Sequence, residues 1–221
     1  MITLDSLDRI SYFCSMPSSA RRGLSRELEF LKFKKGKVIF DEGDPAEFVW
    51  IIESGWVYLI KHTLNGGYAT IFILTPDEAL CGISALDGGG VYSTRAVAAT
   101  DASFLRIPRA AFLKLLSRYP KFASRVLLSC CDRMRHMAEM ISLSQASVEQ
   151  RLVHVLLKLR NSFGRTVPIT HQELARMVGT RWETSIRTLA HLKQKGWVSS
   201  GRGWITILAP RQLKGILRNC N

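Results

Sequence analysis

The stretch VPITHQELARMVGTRWETSIRTLAHLKQKGWVSSGRGWITI, Val167–Ile207, decides how this chain folds. Thr170 and Glu173 stand three residues apart, and so do Thr180 and Glu183. This is the spacing of a capping box, in which the hydroxyl and the carboxylate bond to unpaired N–H groups at the start of a helix. The stretch therefore predicts two short helices that begin ten residues apart.

Glycines mark where these two helices end. Gly179 supplies a tight turn between them, and Gly196 stands where a left-handed residue would end the second helix. The following WVSSGRGWITI, residues 197–207, has Gly-Arg-Gly at its centre and predicts a hairpin. Two helices joined by a glycine turn and followed by a hairpin form a winged helix-turn-helix.

Positive charge is concentrated in this part of the chain. Residues 151–221 contain thirteen Lys and Arg against Glu173 and Glu183, a local charge of +11, whereas residues 1–150 carry only +2. Each phosphate that a cation neutralises releases counterions and adds affinity, so the surplus favours a polyanion partner. The basic region lacks the continuous amphipathic helix of a membrane-surface protein. Double-stranded DNA is the predicted partner, with no membrane.

Composition sets the wider bounds. The 221 residues, 47% of them apolar, are sufficient for one large or two modest domains. No uncharged apolar run reaches the length of a membrane span, and the opening MITLDSLDRISYFC does not resemble a signal peptide. Five scattered cysteines without C-x-x-C spacing are typical of a reducing compartment. A cytoplasmic protein with free thiols is expected.

Residues 28–107 have the pattern of short strands. FLKFKKGKVIFDEGDPAEFVWIIESGWVYLIKHT alternates β-branched or aromatic residues with glycine turns, which predicts an antiparallel sandwich or barrel. The flanking SRELEFLKF (25–33) and RAAFLKLLSRY (109–119) predict helices.

The segment KFASRVLLSCCDRMRHMAEMISLSQ, residues 121–145, predicts a long helix. Val126, Cys130 and Met137 widen an apolar stripe that could instead pack on the helix's own domain. Because Cys130 and Cys131 are adjacent, a thiol redox switch stays an alternative. Heptad spacing predicts a seam for a second copy, formed by Leu127, Cys131, Met134, Ala138 and Ile141.

These segments together resemble the cyclic AMP receptor protein/fumarate-nitrate reduction regulator (CRP/FNR) family of bacterial transcription factors. FKKGKVIFDEGD…WIIESGWVYLI…ASFLRIPRAAF resembles its β-roll, and ITHQELARMVGTRWETSIRTLAHLKQKGWV its helix-turn-helix. The resemblance implies an α+β fold: an N-terminal antiparallel β-roll of the cyclic-nucleotide-binding type (1–117), a long dimerisation helix (118–145) and a C-terminal winged helix-turn-helix (146–221). It also implies an effector-controlled homodimer that binds a palindromic operator and contacts RNA polymerase.

The same resemblance assigns the bases to two side chains. Arg187 would donate twice to guanine O6 and N7, and Glu183 would accept from cytosine N4; an intrahelical salt bridge between them is the alternative. Trp182 stands where cyclic AMP receptor proteins have Arg, and Ile186 where the fumarate-nitrate type often has Ser, so Ile186 either meets a thymine methyl or packs inward. The other residues predicted to contact DNA, mainly at phosphates, are Thr170, Gln172, Arg181, His191, Lys193 and Arg202.

The predicted effector pocket departs from the pattern of cyclic AMP binders. That pattern has Gly-Glu followed by an Arg ten or eleven residues after the Gly. In CGISALDGGGVYSTRAVAA the Glu position is Ile83, the Arg position falls on Tyr92 or Ser93, and Arg95 comes late, on a strand face that parity turns outward. A buried phosphate without a cation is costly, so an effector other than cyclic AMP is expected. The predicted pocket residues are Cys81, Gly82, Ile83, Ser84, Tyr92, Ser93, Thr94 and His136.

Other sensor chemistries each require particular residues. An iron–sulfur type needs several N-terminal cysteines, and only Cys14 is there. Haem or nitric-oxide sensing stays an alternative, with Cys81 or His136 as axial ligand, and ETSIRTL resembles the nitric-oxide-responsive branch. Otherwise the effector is an unidentified small molecule or gas. No metal site is predicted. No catalytic motif is present, and glycines 88–90 do not form a P-loop, so an enzyme is not expected; a β-roll module that acts through protein partners is the remaining alternative.

Overall fold

The computed structural model describes residues 7–8, 10–64, 66–80, 84, 86 and 90–218. The chain divides into two compact units, Met1–Arg135 and His136–Asn221, and the division falls inside one long helix. Within the described residues, no helix is long and apolar enough to cross a membrane.

The N-terminal unit is built on two four-stranded antiparallel sheets, with strand orders β1-β8-β3-β6 and β2-β7-β4-β5. This is the predicted β-roll. Its strands are β1 (Glu29–Phe33), β2 (Val38–Phe40), β3 (Phe48–Ser54), β4 (Val57–His62), β5 (Tyr68–Leu74), β6 (Ala79–Leu80), β7 (Arg95–Ala98) and β8 (Ala102–Pro108).

The central strand β3 is apolar on both faces because it separates two cores. Val49 and Ile51 belong to the cluster that the helices cover, whereas Trp50 and Ile52 belong to the cluster that also contains side chains of the second sheet. Adjacent residues of a strand point to opposite faces, so the run FVWII supplies both cores at once. The second core is strongly aromatic, with Phe40, Trp50, Tyr92 and Phe104 in contact around it.

Helices flank the sheets, and one predicted helix is wrong. Those whose ends both lie within the described residues are α1 (Ser18–Leu24), α2 (Arg109–Arg118) and α3 (Pro120–Ser144), the last of which continues past the end of this unit. Residues 25–33 do not form a helix, since Glu29–Phe33 is strand β1, paired residue by residue with Phe33 opposite Ala102 and Glu29 opposite Arg106. The distant partner strand overrides the local helical preference.

The C-terminal unit is the winged helix-turn-helix. Ser147 and Gln150 form a capping box at the start of α4 (Val148–Phe163), in addition to the capping boxes predicted from the sequence. The elements are α4 (Val148–Phe163), β9 (Thr166–Val167), α5 (His171–Val178), α6 (Trp182–Gln194), β10 (Val198–Gly201), β11 (Trp204–Ile207) and α7 (Pro210–Arg218). The order β10-β11-β9 makes the wing a three-stranded antiparallel sheet.

Candidate nucleic-acid interface

The first helix of the helix-turn-helix begins and ends as predicted. The Glu173 amide donates to Thr170 Oγ1 at 3.1 Å, and the Thr170 amide donates to Glu173 Oε2 at 2.7 Å, which completes the capping box of α5. Gly179 ends α5 in the left-handed conformation, with φ 65° and ψ 47°. Glycine takes this conformation without steric cost, so the chain turns sharply into α6.

The second predicted capping box, Thr180 with Glu183, does not form. The Thr180 amide donates to the Ala175 carbonyl at 3.0 Å, so Thr180 completes the end of α5. Helix α6 instead has Arg181 as its N-cap, and no side chain caps it. The hydroxyl of Thr180 is one residue too early for the cap because the turn at Gly179 uses Thr180 itself.

Helix α6 buries one side and exposes the two predicted base-reading residues on the other. Ser185, Leu189 and Leu192 are buried, while Glu183 and Arg187 are exposed. The ion pairs of the described part of this unit involve Glu139 and Glu149, so Glu183 and Arg187 do not form the alternative intrahelical salt bridge. Both charged groups are therefore available to a partner.

Two apolar side chains lie at the remaining predicted positions of α6. Trp182, the first residue of the helix, is 51% exposed, so its indole is presented to solvent beside Glu183. Ile186 is half-buried. Part of the Ile186 side chain therefore packs against the protein, and part is accessible to a partner.

The predicted phosphate-contacting residues divide into two groups. Thr170 is used by the capping box, and His191 places Nδ1 3.2 Å from Glu149 Oε1. Glu149 was not singled out from the sequence, because it lies forty-two positions from His191 and only the fold brings them together. The side chains that are exposed and make no ion pair in the described structure are Gln172, Arg181, Lys193 and Arg202.

The predicted effector pocket lies only partly within the described residues. Cys81, Gly82 and Ile83 are outside them. Tyr92 is 3% exposed, stacks on Phe40 with ring centroids 3.9 Å apart, and accepts a 3.1 Å hydrogen bond from Trp50 Nε1. Its hydroxyl donates to the Phe48 carbonyl at 2.9 Å. Tyr92 thus forms part of the aromatic core between the sheets.

Arg95 faces away from that core, in agreement with the parity argument. Ala96 and Ala98 on the same strand are buried between the sheets. Arg95 instead donates from Nε and Nη2 to Asp41 at 2.9 and 2.6 Å, and this pairing lowers the pKa of the Asp41 carboxyl. The guanidinium of Arg95 is therefore paired with Asp41 and does not point into the core between the sheets.

The other predicted pocket residues occupy varied settings. Ser84 and Thr94 are half-buried, and Ser93 is exposed, with its carbonyl accepting from Lys61 Nζ at 2.8 Å. His136 belongs to the C-terminal unit, where it contacts Lys158 and lies 3.9 Å from Glu139.

The predicted seam on α3 is exposed along its length. Leu127, Met134 and Ile141 are 63%, 69% and 71% exposed, and Cys131 and Ala138 are exposed as well. Of the side chains expected to widen the stripe, Val126 is buried in the core of the N-terminal unit, Cys130 is half-buried, and Met137 is exposed. The helix thus packs on its own unit with one face and leaves an apolar face uncovered.

Comparison with known proteins gives matches over both units. The cyclic nucleotide-binding domain family matches residues 30–119, and the Crp-like helix-turn-helix domain family matches residues 150–216. The cyclic AMP receptor protein of Thermus thermophilus is 34% identical over 177 residues, covering 79% of this chain and 82% of the relative. The global nitrogen regulator of Synechococcus elongatus is 29% identical over 195 residues, covering 83% and 87%.

Solved structures share the fold. A transcriptional regulator of the CRP/FNR family from Thermus thermophilus superposes with a TM-score of 0.71 at 25% identity, covering 87% of this chain and all of that one (100%). FixK2 from Bradyrhizobium japonicum superposes with a TM-score of 0.76 at 19% identity, covering 86% and 96%; at this identity the likeness concerns the fold alone.

Proposed function

The chain belongs to the CRP/FNR family of transcription regulators, and from that premise we propose that it is a homodimeric, sequence-specific DNA-binding regulator controlled by an effector other than cyclic AMP. The observation that carries the proposal is the outer face of α6, where Glu183 and Arg187 are exposed and form no ion pair with any described residue, in a segment with a charge of +11. A cation and a carboxylate one helical turn apart suit a G·C pair, with Arg187 on the guanine and Glu183 on the cytosine.

The expected operator sequence follows from these two base-reading residues. The half-site keeps the G·C pair of a TTGA-like element, and the second half-site is its inverted repeat TCAA. Trp182 cannot make paired hydrogen bonds to guanine, so the outer position read by Arg in cyclic AMP receptor proteins is relaxed or thymine-rich.

Selection of bound sequences from random DNA tests the operator, followed by salt-titrated binding of variants. Arg187→Ala loses about 1–3 kcal/mol on the selected site and flattens the preference at one base pair. Lys193→Ala is the matched control: it weakens all sequences alike and lowers the salt slope by about one unit. An Arg187→Ala protein with unchanged sequence preference would remove Arg187 from the reading residues.

Dimerisation is proposed from the exposed seam. Apolar side chains at heptad spacing along a 25-residue helix favour pairing with an identical helix, and a second copy is the occupant whose helix carries the matching spacing. Two recognition helices then read half-sites about 34 Å apart. Met134→Glu yields monomers in sedimentation, whereas Ser142→Glu, at an exposed position beside the seam, leaves the dimer intact. A dimeric Met134→Glu protein contradicts this seam.

An effector other than cyclic AMP is proposed from Tyr92 and Arg95. The first is neutral and already bonded within the core, and the second is paired with Asp41 outside it. Neither supplies the cation that a buried cyclic phosphate needs. Calorimetric titration with cyclic AMP is expected to show no micromolar binding, and heat of binding in that range would overturn the assignment. The absorption spectrum of freshly purified protein and the mass of any ligand bound to it identify the effector, and the spectrum would reveal haem.

Contact with RNA polymerase is proposed from the family alone. The measurement is transcription in vitro from a template that carries the selected operator.

A further inference from the structure

The wing carries an exposed tryptophan that the proposed base contacts do not use. Strands β10 and β11 pair so that Gly201 lies opposite Trp204, and Gly203, with φ 84°, closes the tip. Ile205 and Ile207 are buried. Because side chains alternate along β11, Trp204 lies on the outer face of the wing.

Gly201 gives the indole its position. A Cβ added to Gly201 would lie 2.5 Å from Cε2 of Trp204, closer than side-chain atoms approach one another. The ring therefore lies across the backbone of the facing strand, a packing that compensates for a glycine in a sheet. This packing accounts for where the ring lies but not for its exposure, since 40% of Trp204 remains accessible.

The residues around the Trp204 indole indicate which kind of surface it contacts. Exposed Arg202 is two residues away at the wing tip, within the segment of charge +11. A DNA backbone offers phosphates for cations and apolar deoxyribose edges for an indole face. DNA is already the partner proposed for α6 of the same unit, and its backbone supplies both kinds of group.

We propose that the indole of Trp204 packs against deoxyribose of the DNA backbone outside the base pairs read by α6. The inference rests on the proposed function, DNA binding, and adds a second, apolar contact to it. The contact is independent of sequence, because the sugar is the same at every base. It is also independent of salt, because packing of the ring releases no counterion.

Salt-titrated binding to the selected operator and to an unrelated duplex tests this contact. Trp204→Ala lowers affinity for both duplexes by about tenfold. This is the loss expected if roughly half of the indole area that is exposed in the free protein is buried against DNA in the complex. The slope of affinity against salt stays that of the wild type. Arg202→Ala is the ionic comparison, since it lowers both the affinity and the slope, the latter by about one unit.

Two further variants serve as controls. Gly201→Ala keeps the tryptophan but displaces its ring, and it reproduces the loss. Leu208→Ala removes an equally exposed apolar side chain (40%) outside the paired strands and leaves affinity unchanged. Thermal unfolding of each variant shows that the unit remains folded.

Hydroxyl-radical footprinting reads the sugars directly and needs only residual binding. The wild type protects deoxyribose at the flanks of the operator, and Trp204→Phe retains part of that protection. Wild-type affinity in Trp204→Ala, or a loss of affinity with a falling salt slope, overturns the inference. If the wild-type protein shows no sequence preference for DNA, the proposed function is overturned. If Arg187→Ala loses sequence preference as expected but Trp204→Ala binds like the wild type, only this inference is overturned.

Discussion

Replacing Tyr92 by Phe removes one hydroxyl from the core between the sheets. That oxygen accepts from Trp50 Nε1 at 3.1 Å and donates to the Phe48 carbonyl at 2.9 Å. Phe48 lies opposite Pro108 in the β3–β8 register, and the Arg109 amide donates to the Glu47 carbonyl at 2.8 Å, so Phe48 and Pro108 are a non-hydrogen-bonded pair and the Phe48 carbonyl points away from β8. The Tyr92 hydroxyl therefore supplies a hydrogen bond that β8 does not give to Phe48.

The magnitude follows from what the substitution leaves behind. Without the hydroxyl, an indole N–H and a backbone carbonyl lose their hydrogen bonds in an interior where Trp50 is buried. Each unsatisfied buried group costs about 1–3 kcal/mol. The Phe ring keeps the stacking on Phe40, so no cavity adds to the cost. We expect a loss of about 3 kcal/mol, or roughly 10 °C in the melting temperature of the N-terminal unit.

Urea and thermal unfolding followed by tryptophan fluorescence measure this change, with Tyr119→Phe as the matched control. Tyr119 is half-buried and packs beside the helical core, and it makes no side-chain hydrogen bond in the described structure. Its replacement should change stability by less than about 0.5 kcal/mol. The urea m-value of Tyr92→Phe should stay constant, since the fold is unchanged. Equal stability of Tyr92→Phe and the wild type would refute the hydrogen-bond argument.

Three further predictions concern single side chains. Thr170→Ala removes the N-cap of α5 and costs about 1 kcal/mol in urea unfolding, whereas Thr170→Ser retains most of it. Ser185 is fully buried and its hydroxyl has no hydrogen-bond partner among the described residues, so Ser185→Ala stabilises the C-terminal unit, by about 1 kcal/mol, without changing the selected operator. Lys61 and then His62 lower the pKa of Glu42 from 4.5 to about 2, so its contribution to stability is complete above pH 4.5 and is lost as the pH falls through about 2. The stability difference between wild type and Glu42→Gln should therefore shrink over that interval, and a difference independent of pH contradicts the pairing.

Local patterns predicted the fold where the signal lies within about ten residues. The α5 capping box, the glycine that ends α5 and the wing are all short-range features, and the structure has each of them. The fold class was likewise confirmed, because alternating strands, a heptad helix and a helix-turn-helix occur in one order.

Errors arose where one residue serves two elements or where a distant strand decides. Thr180 has the sequence of an N-cap, but its amide completes the end of α5. Residues 25–33 have helical composition, but pairing with β8, more than sixty residues away, makes part of them a strand. The Arg95–Asp41 pair spans 54 residues, so parity predicted the outward direction of Arg95 but not its partner.

The exposed seam on α3 and the exposed base-reading residues Glu183 and Arg187 bear on the same quantity, the preference for the operator over random DNA. A base pair that is read correctly discriminates by about 1–3 kcal/mol, and the proposed contacts of Glu183 and Arg187 fall on one G·C pair, so one α6 gives about 1–3 kcal/mol. Specific regulators bind their sites about 4–10 kcal/mol more tightly than random DNA. One copy falls short of that range, and in the proposed dimer a second copy, joined through the apolar face of Leu127, Met134 and Ile141, doubles the discrimination on a palindrome to about 2–6 kcal/mol. Met134→Glu should therefore reduce the ratio of operator to random-DNA affinity even though Met134 lies outside the helix-turn-helix. An unchanged ratio in a proven monomer would show that one unit suffices.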